Sequence, residues 1–494
     1  MITRRMLGAV ALACTVAAGT GMHRVTAQSA QSSALAFPSD ESYLRLLAPG
    51  NEAYRVLDGS RMKRLVDEQA AIARRYRDAG HQYWGRILGT EADADTASWM
   101  ADQLRQAGAE NVRLEPIDLP PQWMPRSWEV SAALAGEMAT LTSAWPTYAS
   151  PGTPSGGIEV ELVDVGLGME TDFQGRDVRG KAVVIHSIPR PGVIQHSAGR
   201  SGAIERADAQ GAAAILVVVE LPGNPQFALY EVNTSVPTLA LGSADGAILQ
   251  RMLSEANPQR PARVRLRLEV EDVDGLRTAS VRGEVPAAAE DAERIIVVAH
   301  RDAFFEGAGD NASGVATAIE LMRYYAQVPR SQRRRTFEVI GTPGHHNLAR
   351  TGFVWLLENQ GRLLERVALL INAEHSSQAL VDRWAAELRP TNSLGPFTWR
   401  IHGSSELVSI ANRAFDEFGV PRWAEMGGPE GEIARVRTLV PSIVLMHAGV
   451  LMHSNIETAE AIPEAGLAAT TRAYAKIIDQ ANQLDLAQLV PPAP

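Results

Sequence analysis

The chain has 494 residues, 45% of them hydrophobic, which is room for two or three domains with ordinary cores. Its formal net charge of −10, without any basic stripe, argues against nucleic acid as a partner. The single cysteine, Cys14, lies within the first 27 residues, so the remainder has neither disulfide nor thiol chemistry.

Arg4-Arg5 precede an apolar run from Met6 to Ala18, and Val25-Thr26-Ala27 offers a small-residue cleavage site. Residues 1–27 therefore read as an export signal, and Thr3-Arg4-Arg5-Met6-Leu7 resembles a twin-arginine signal. The expected location is periplasmic or secreted, and no later stretch is apolar enough to span a membrane. Residues 28–50 are rich in Ser, Ala and Pro. Helical spacing over 61–77 turns Met62, Leu65, Ala70 and Ile72 inward. A second helix is predicted over 96–107 with Asp95 as its N-cap. Val112 to Ile117 reads as an edge strand, because Pro116 cannot donate to a ladder on both sides.

Pro, Trp, Gly and Ser are dense over 120–157, which suggests a boundary. Strands are predicted over 160–165, 182–185, 214–219 and 235–240, with a helix over 203–210. This order resembles a protease-associated domain. The expected organisation is a signal at 1–27, an extension and first catalytic part at 28–149, a β-rich insertion at 150–258, and the main catalytic part at 259–494.

The most informative stretch follows the apolar run Ile295 to Ala299, a buried strand. It reads His300-Arg301-Asp302 and then Gly309-Asp310-Asn311-Ala312-Ser313-Gly314, ahead of helical spacing through Tyr325. One His and two Asp thus occupy a strand-to-helix loop, the edge at which open α/β sheets bind ligands. His300 and Asp310 can converge on one cation, with Asp302 taking the second N–H of His300 or bracing the loop. Gly309 and Gly314 leave room for a ligand to approach the backbone, and Asn311 and Ser313 suit a helix entry.

This segment resembles the first metal loop of the co-catalytic zinc aminopeptidases, metallopeptidase family 28. That family also holds glutamate carboxypeptidase, glutaminyl cyclase and the non-enzymatic transferrin receptor. The resemblance implies an α/β fold, a mixed sheet with helices on both faces. It also implies that His300 binds one metal, Asp302 orients it and Asp310 bridges two. The family's Gly-Glu-Glu motif, a general base followed by a ligand, falls on Gly344-His345-His346 after the strand at 336–340. A third strand, 367–372, leads to Glu374, where the family has an Asp ligand, and His375 adds a nitrogen at the same place. After the strand at 443–446, His453-Ser454-Asn455-Ile456-Glu457-Thr458 is similar to the family's last-ligand motif, which makes His453 the candidate.

One site is then His300, Asp310 and Glu374, and the other Asp310, His346 and His453. Both sets suit zinc, as one or two ions, and imidazole also suits other transition metals. His345 is the expected base. Glu430 or Glu432, in an acidic loop before the last strand, is the expected reader of a substrate amino terminus. The expected function is an exported metal-dependent hydrolase of peptide or other amide bonds, an aminopeptidase or other exopeptidase. Two alternatives stand beside it: a binding protein on a peptidase fold, and a mononuclear zinc acyltransferase resembling glutaminyl cyclase.

Overall fold

The computed structural model describes residues 47–189, 196–229, 233–347, 349, 351–384, 387–426, 431–447 and 449–491. The stretch 1–27 read as an export signal, and Glu430, lie outside the described residues.

Two eight-stranded sheets organise the chain. The first takes its strands in the order 422–425, 397–402, 442–447, 367–373, 294–300, 336–342, 277–285 and 110–118. The middle four, Ser442–His447, Val367–Ala373, Arg294–His300 and Thr336–Thr342, are mutually parallel. Parallel strands are covered on both faces, and their sequences show why. Ile295, Val297 and Ala299 enter one core, while Ile296 and Val298 enter another. The first core packs against the helices Gly59–Asp78, Glu91–Gln106, Gly314–Ala326 and Glu464–Ala481. The second packs against Thr351–Glu358. This is the α/β sheet with helices on both faces that the pattern implied. Because the four strands run in parallel, their C-terminal ends share one edge, and His300, His345, Glu374 and His447 arrive there together.

The first helix begins at Gly59 and buries all four expected positions, Met62, Leu65, Ala70 and Ile72. The second differs from expectation. It starts at Glu91, with the Thr90 hydroxyl accepting from the Asp93 N–H, so Asp95 lies inside it. Thr90 is also an N-capping type, and the added turn lets buried Asp93 hold Arg301. Glu110–Asp118 is the expected edge strand.

The second sheet runs 137–140, 122–134, 263–273, 158–164, 182–187, 214–219, 238–242 and 145–146. It therefore draws on 122–273, beyond the 150–258 expected for the insertion. The Pro- and Trp-rich stretch read as a boundary contains the 13-residue strand Gln122–Leu134. Pro125 is accommodated where the register shifts against Glu269/Val270. Trp84, Phe304 and Phe305 pack into the same core as this sheet's inner face, which fixes it beside the metal loop. Among the described residues no helix is long and apolar enough to cross a membrane.

At the ends of three parallel strands of this sheet, His186 lies 2.6 Å from Glu220 and 3.3 Å from Asp164. The Asp164 carboxylate, against the opposing effect of burial and with help from Glu220, raises the imidazole to about 9. A pKa raised on folding contributes stability that is full below about 6.5 and is lost as the pH rises through about 9. The carboxylates are about one-third exposed, which limits the contribution to about 1 kcal/mol. His186→Gln should therefore lower thermal stability at pH 6 and leave a much smaller difference at pH 10. An equal loss at both pH values would show that the charge is not what His186 supplies.

Candidate metal centre

Asp310 sits at the centre of the edge. Its Oδ1 lies 3.1 Å from His300 Nε2 and 3.1 Å from His375 Nε2. Its Oδ2 lies 3.1 Å from His346 Nε2 and 2.8 Å from His453 Nε2. Glu374 Oε1 completes one side, 3.8 Å from His300 and 4.0 Å from His375. All these side chains are buried, none more than 6% exposed. The structure thus brings together all five sequence-predicted metal residues, His300, Asp310, His346, Glu374 and His453.

The loop is held by its own polar residues. The Asn311 amide donates to the carbonyls of His300 and Ala373, at 3.3 and 3.1 Å. Its oxygen accepts from the N–H groups of Gly314 and His375. Ser313 Oγ donates to the Gly309 carbonyl. The glycines serve protein rather than ligand: a Cβ on Gly314 would meet the Ala373 carbonyl oxygen at 2.1 Å, and one on Gly309 would meet Glu457 at 2.4 Å. Behind the loop, buried Arg86 donates to the carbonyls of Arg301, Glu306 and Gly307.

Asp302 keeps its expected place beside His300, its Oδ1 3.6 Å from His300 Nδ1, and its carboxylate also accepts from the backbone N–H groups of His345 and His346, both at 2.9 Å. It also lies 3.1 Å from His346 Nδ1, while His300 Nδ1 faces the Asp302 backbone carbonyl at 3.2 Å. Only a short turn separates the 336–342 strand from His345, and Asp302 is the acceptor nearest its N–H groups. Glu432 was to read a substrate, but it is 1% exposed and lies 2.8 Å from His345 Nδ1. Its N–H donates to Glu374 Oε2 at 2.9 Å, so the loop that carries it folds inward. His345 itself stacks on His300, ring centroids 4.2 Å apart, with its Nε2 3.9 Å from Glu374.

Glu457 and His447 were assigned no role. Glu457 is 2% exposed, and burial together with the Asp310 charge raises it to about 8. Its position in the His453 motif was the available signal. His447 ends a parallel strand, and its carbonyl meets His375 Nδ1. The loop that carries His453 is tied to the second sheet, since its carbonyl accepts from Ala228 N–H at 2.9 Å. Gln122, Trp123 and Met124 of that sheet, and Tyr148 just after its edge strand, line a cavity with His346 and Phe304.

Burial opposes every charge here, so the directions show what outweighs it. Asp302 and Asp310 raise His300 well above the ordinary imidazole value, and they raise His346 to about 9. Asp310 itself stays well below the usual carboxylate range because His346 and His375 surround it. Burial wins at His453, which falls to about 4. Carboxylates this deep need positive charge beside them, as imidazolium protons or as a cation that displaces those protons. His300 Nε2, Asp310 Oδ1 and His375 Nε2 are buried and make no aligned hydrogen bond. Neutral imidazole and carboxylate at this spacing are the donors of zinc sites, so the residues fit the ion.

Residues 280–341 match the model of Peptidase family M28. Carboxypeptidase Q of Mus musculus is 24% identical over 257 residues, 48% of this chain and 51% of that protein. Aminopeptidase YwaD of Bacillus subtilis (strain 168) is 24% identical over 260 residues, 51% and 50% of the two. The chain spans about half the length of these curated relatives. Among solved structures, a Peptidase M28 precursor from Shewanella amazonensis SB2B superposes with a TM-score of 0.69 at 19% identity, covering 92% of this chain and all of that one. BSAP, a zinc aminopeptidase from Bacillus subtilis, gives 0.63 at 15% identity over 88% and 98%. At these identities the superpositions establish the fold.

Asp302→Ala should strand the N–H groups of His345 and His346. It should destabilise the chain by about 3 kcal/mol, read from the urea midpoint. An unchanged midpoint would mean that the turn does not depend on Asp302.

Proposed function

We propose that the chain is an exported, metal-dependent hydrolase of amide bonds that removes single residues from peptide termini. The observation that carries this reading is the convergence of His300, His346, His453, Asp310 and Glu374 on one buried point in an M28 fold. Export rests on the sequence of residues 1–27 alone. Cations held by these residues supply Lewis acidity that polarises a carbonyl and lowers the pKa of water.

The remaining roles belong to the chain. His345 stands where M28 peptidases carry a base, and Glu432 accepts its Nδ1–H, which leaves Nε2 as the nitrogen that takes a proton. Asp302 fixes both His345 and His346 through the backbone and aligns the His346 ring. The second sheet, read as a protease-associated-like domain, narrows the approach with Trp123 and Tyr148, selecting small or extended substrates.

The test is turnover of aminoacyl anilides and short peptides, with and without an N-acetyl block. Free N-termini should be cleaved, acetylated ones spared, and a chelator should abolish the rate. His345→Ala should lower kcat by about 10²–10⁴-fold while metal content stays unchanged. Full activity in His345→Ala would remove its role as base. No hydrolysis of any amide by metal-loaded protein would favour the second reading, a binding protein, which the replacement of the Glu pair by His345-His346 supports.

A further inference from the structure

We propose that His375 is a fourth protein donor to the first cation, so that the two metal positions are unequal. The first is ringed by His300, Asp310, Glu374 and His375, and the second by Asp310, His346 and His453. This rests on the metal reading of the site given above.

The tautomer is set from behind. His375 Nδ1 meets the backbone carbonyl of His447, which can only accept. Nδ1 therefore carries the proton in the neutral ring, and Nε2 presents a lone pair. His300 is set the same way, its Nδ1 against the Asp302 carbonyl. Both Nε2 atoms and Asp310 Oδ1 are buried without an aligned hydrogen bond. A buried ring nitrogen left in that state is costly unless something binds it.

The spacing is that of a coordination shell. Donors about 2.0–2.1 Å from a tetrahedral zinc lie about 3.3 Å from one another. His300 and His375 each lie 3.1 Å from Asp310 Oδ1, and 3.8 and 4.0 Å from Glu374 Oε1. These four edges bracket that value. The backbone also commits to this placement, since His375 holds φ at +48°. A non-glycine residue in that region costs about 1–2 kcal/mol. His345 is the rival donor, 3.9 Å from Glu374. It is turned by Glu432 on its Nδ1, whereas His375 and His300 both lie 3.1 Å from Asp310 Oδ1.

Four protein donors fill the shell of a retained zinc, whereas three leave a position open to water or substrate. The second position, beside His346 and His453, is therefore the open one. It also adjoins the cavity lined by Trp123, Tyr148 and Phe304.

The experiment is zinc titration of the stripped full chain against a chromophoric chelator, with cobalt absorption as a second readout. The wild type should show one tight and one weaker site, and four-coordinate cobalt should occupy the tight one first. His375→Ala should weaken the tight site by at least about 10-fold, leave the weaker one unchanged, and lower the cobalt intensity as water enters. If His375→Ala does not fold, His375→Gln keeps the bulk and a donor toward the His447 carbonyl, with the same expectation. Unchanged affinities in a wild type that binds two ions would overturn the proposal and leave the metal reading intact. Weakening by His345→Ala instead would assign the donor to His345 and overturn it too. A wild type that binds no zinc would overturn the metal reading itself.

Discussion

One carboxylate organises this edge of the molecule. Asp310 is buried, and each of its oxygens faces two imidazoles within 3.1 Å. A carboxylate in that position cannot be left alone, because removing one charge from water costs several kcal/mol. Everything nearby answers that constraint. Four parallel strands end together to bring up His300, His345-His346, Glu374 and His447. Asn311 ties the loop to two of those strands. Arg86 gathers the carbonyls behind it.

The same constraint explains how the chain tolerates His345-His346 where M28 peptidases are expected to carry two glutamates. The swap removes negative charge from the cluster around Asp310. Asp302 and Glu432 return some of it one layer out, on His346 Nδ1 and His345 Nδ1. Each imidazole thereby keeps a lone pair directed inward, which is what a metal ligand and a proton acceptor both require. The second sheet adds the outer boundary, joined to the His453 loop by backbone hydrogen bonds with residues 226–228 and by the packing of Val450 against Val219, Leu221 and Phe227.

Much of this was legible in the sequence. Continuous β-branched runs ending in His, Asp or Glu placed the strands and the metal residues, because buried parallel strands and loop ligands leave local patterns. Long-range partners leave none. Glu432 lies 87 positions from His345, and nothing local tells an inward-folded acidic loop from one facing a substrate. Spacing shows Asp302 beside His300, two residues away, but its second partner, His346, arrives through the neighbouring strand and leaves no local sign. The strand at 122–134 was missed because Pro and Trp density imitates a boundary when a register shift absorbs the proline. The helix starts five residues before the expected position because Thr90 and Asp95 are both capping types, and tertiary pairing of Asp93 with Arg301 decides between them.

The central claim is that this histidine-rich edge is a working two-cation centre. Elemental analysis of full-length protein, purified from exported material without added metal, tests it most directly. The account predicts about two zinc-like ions per chain. Folded protein that carries none, and refuses added zinc, would contradict it.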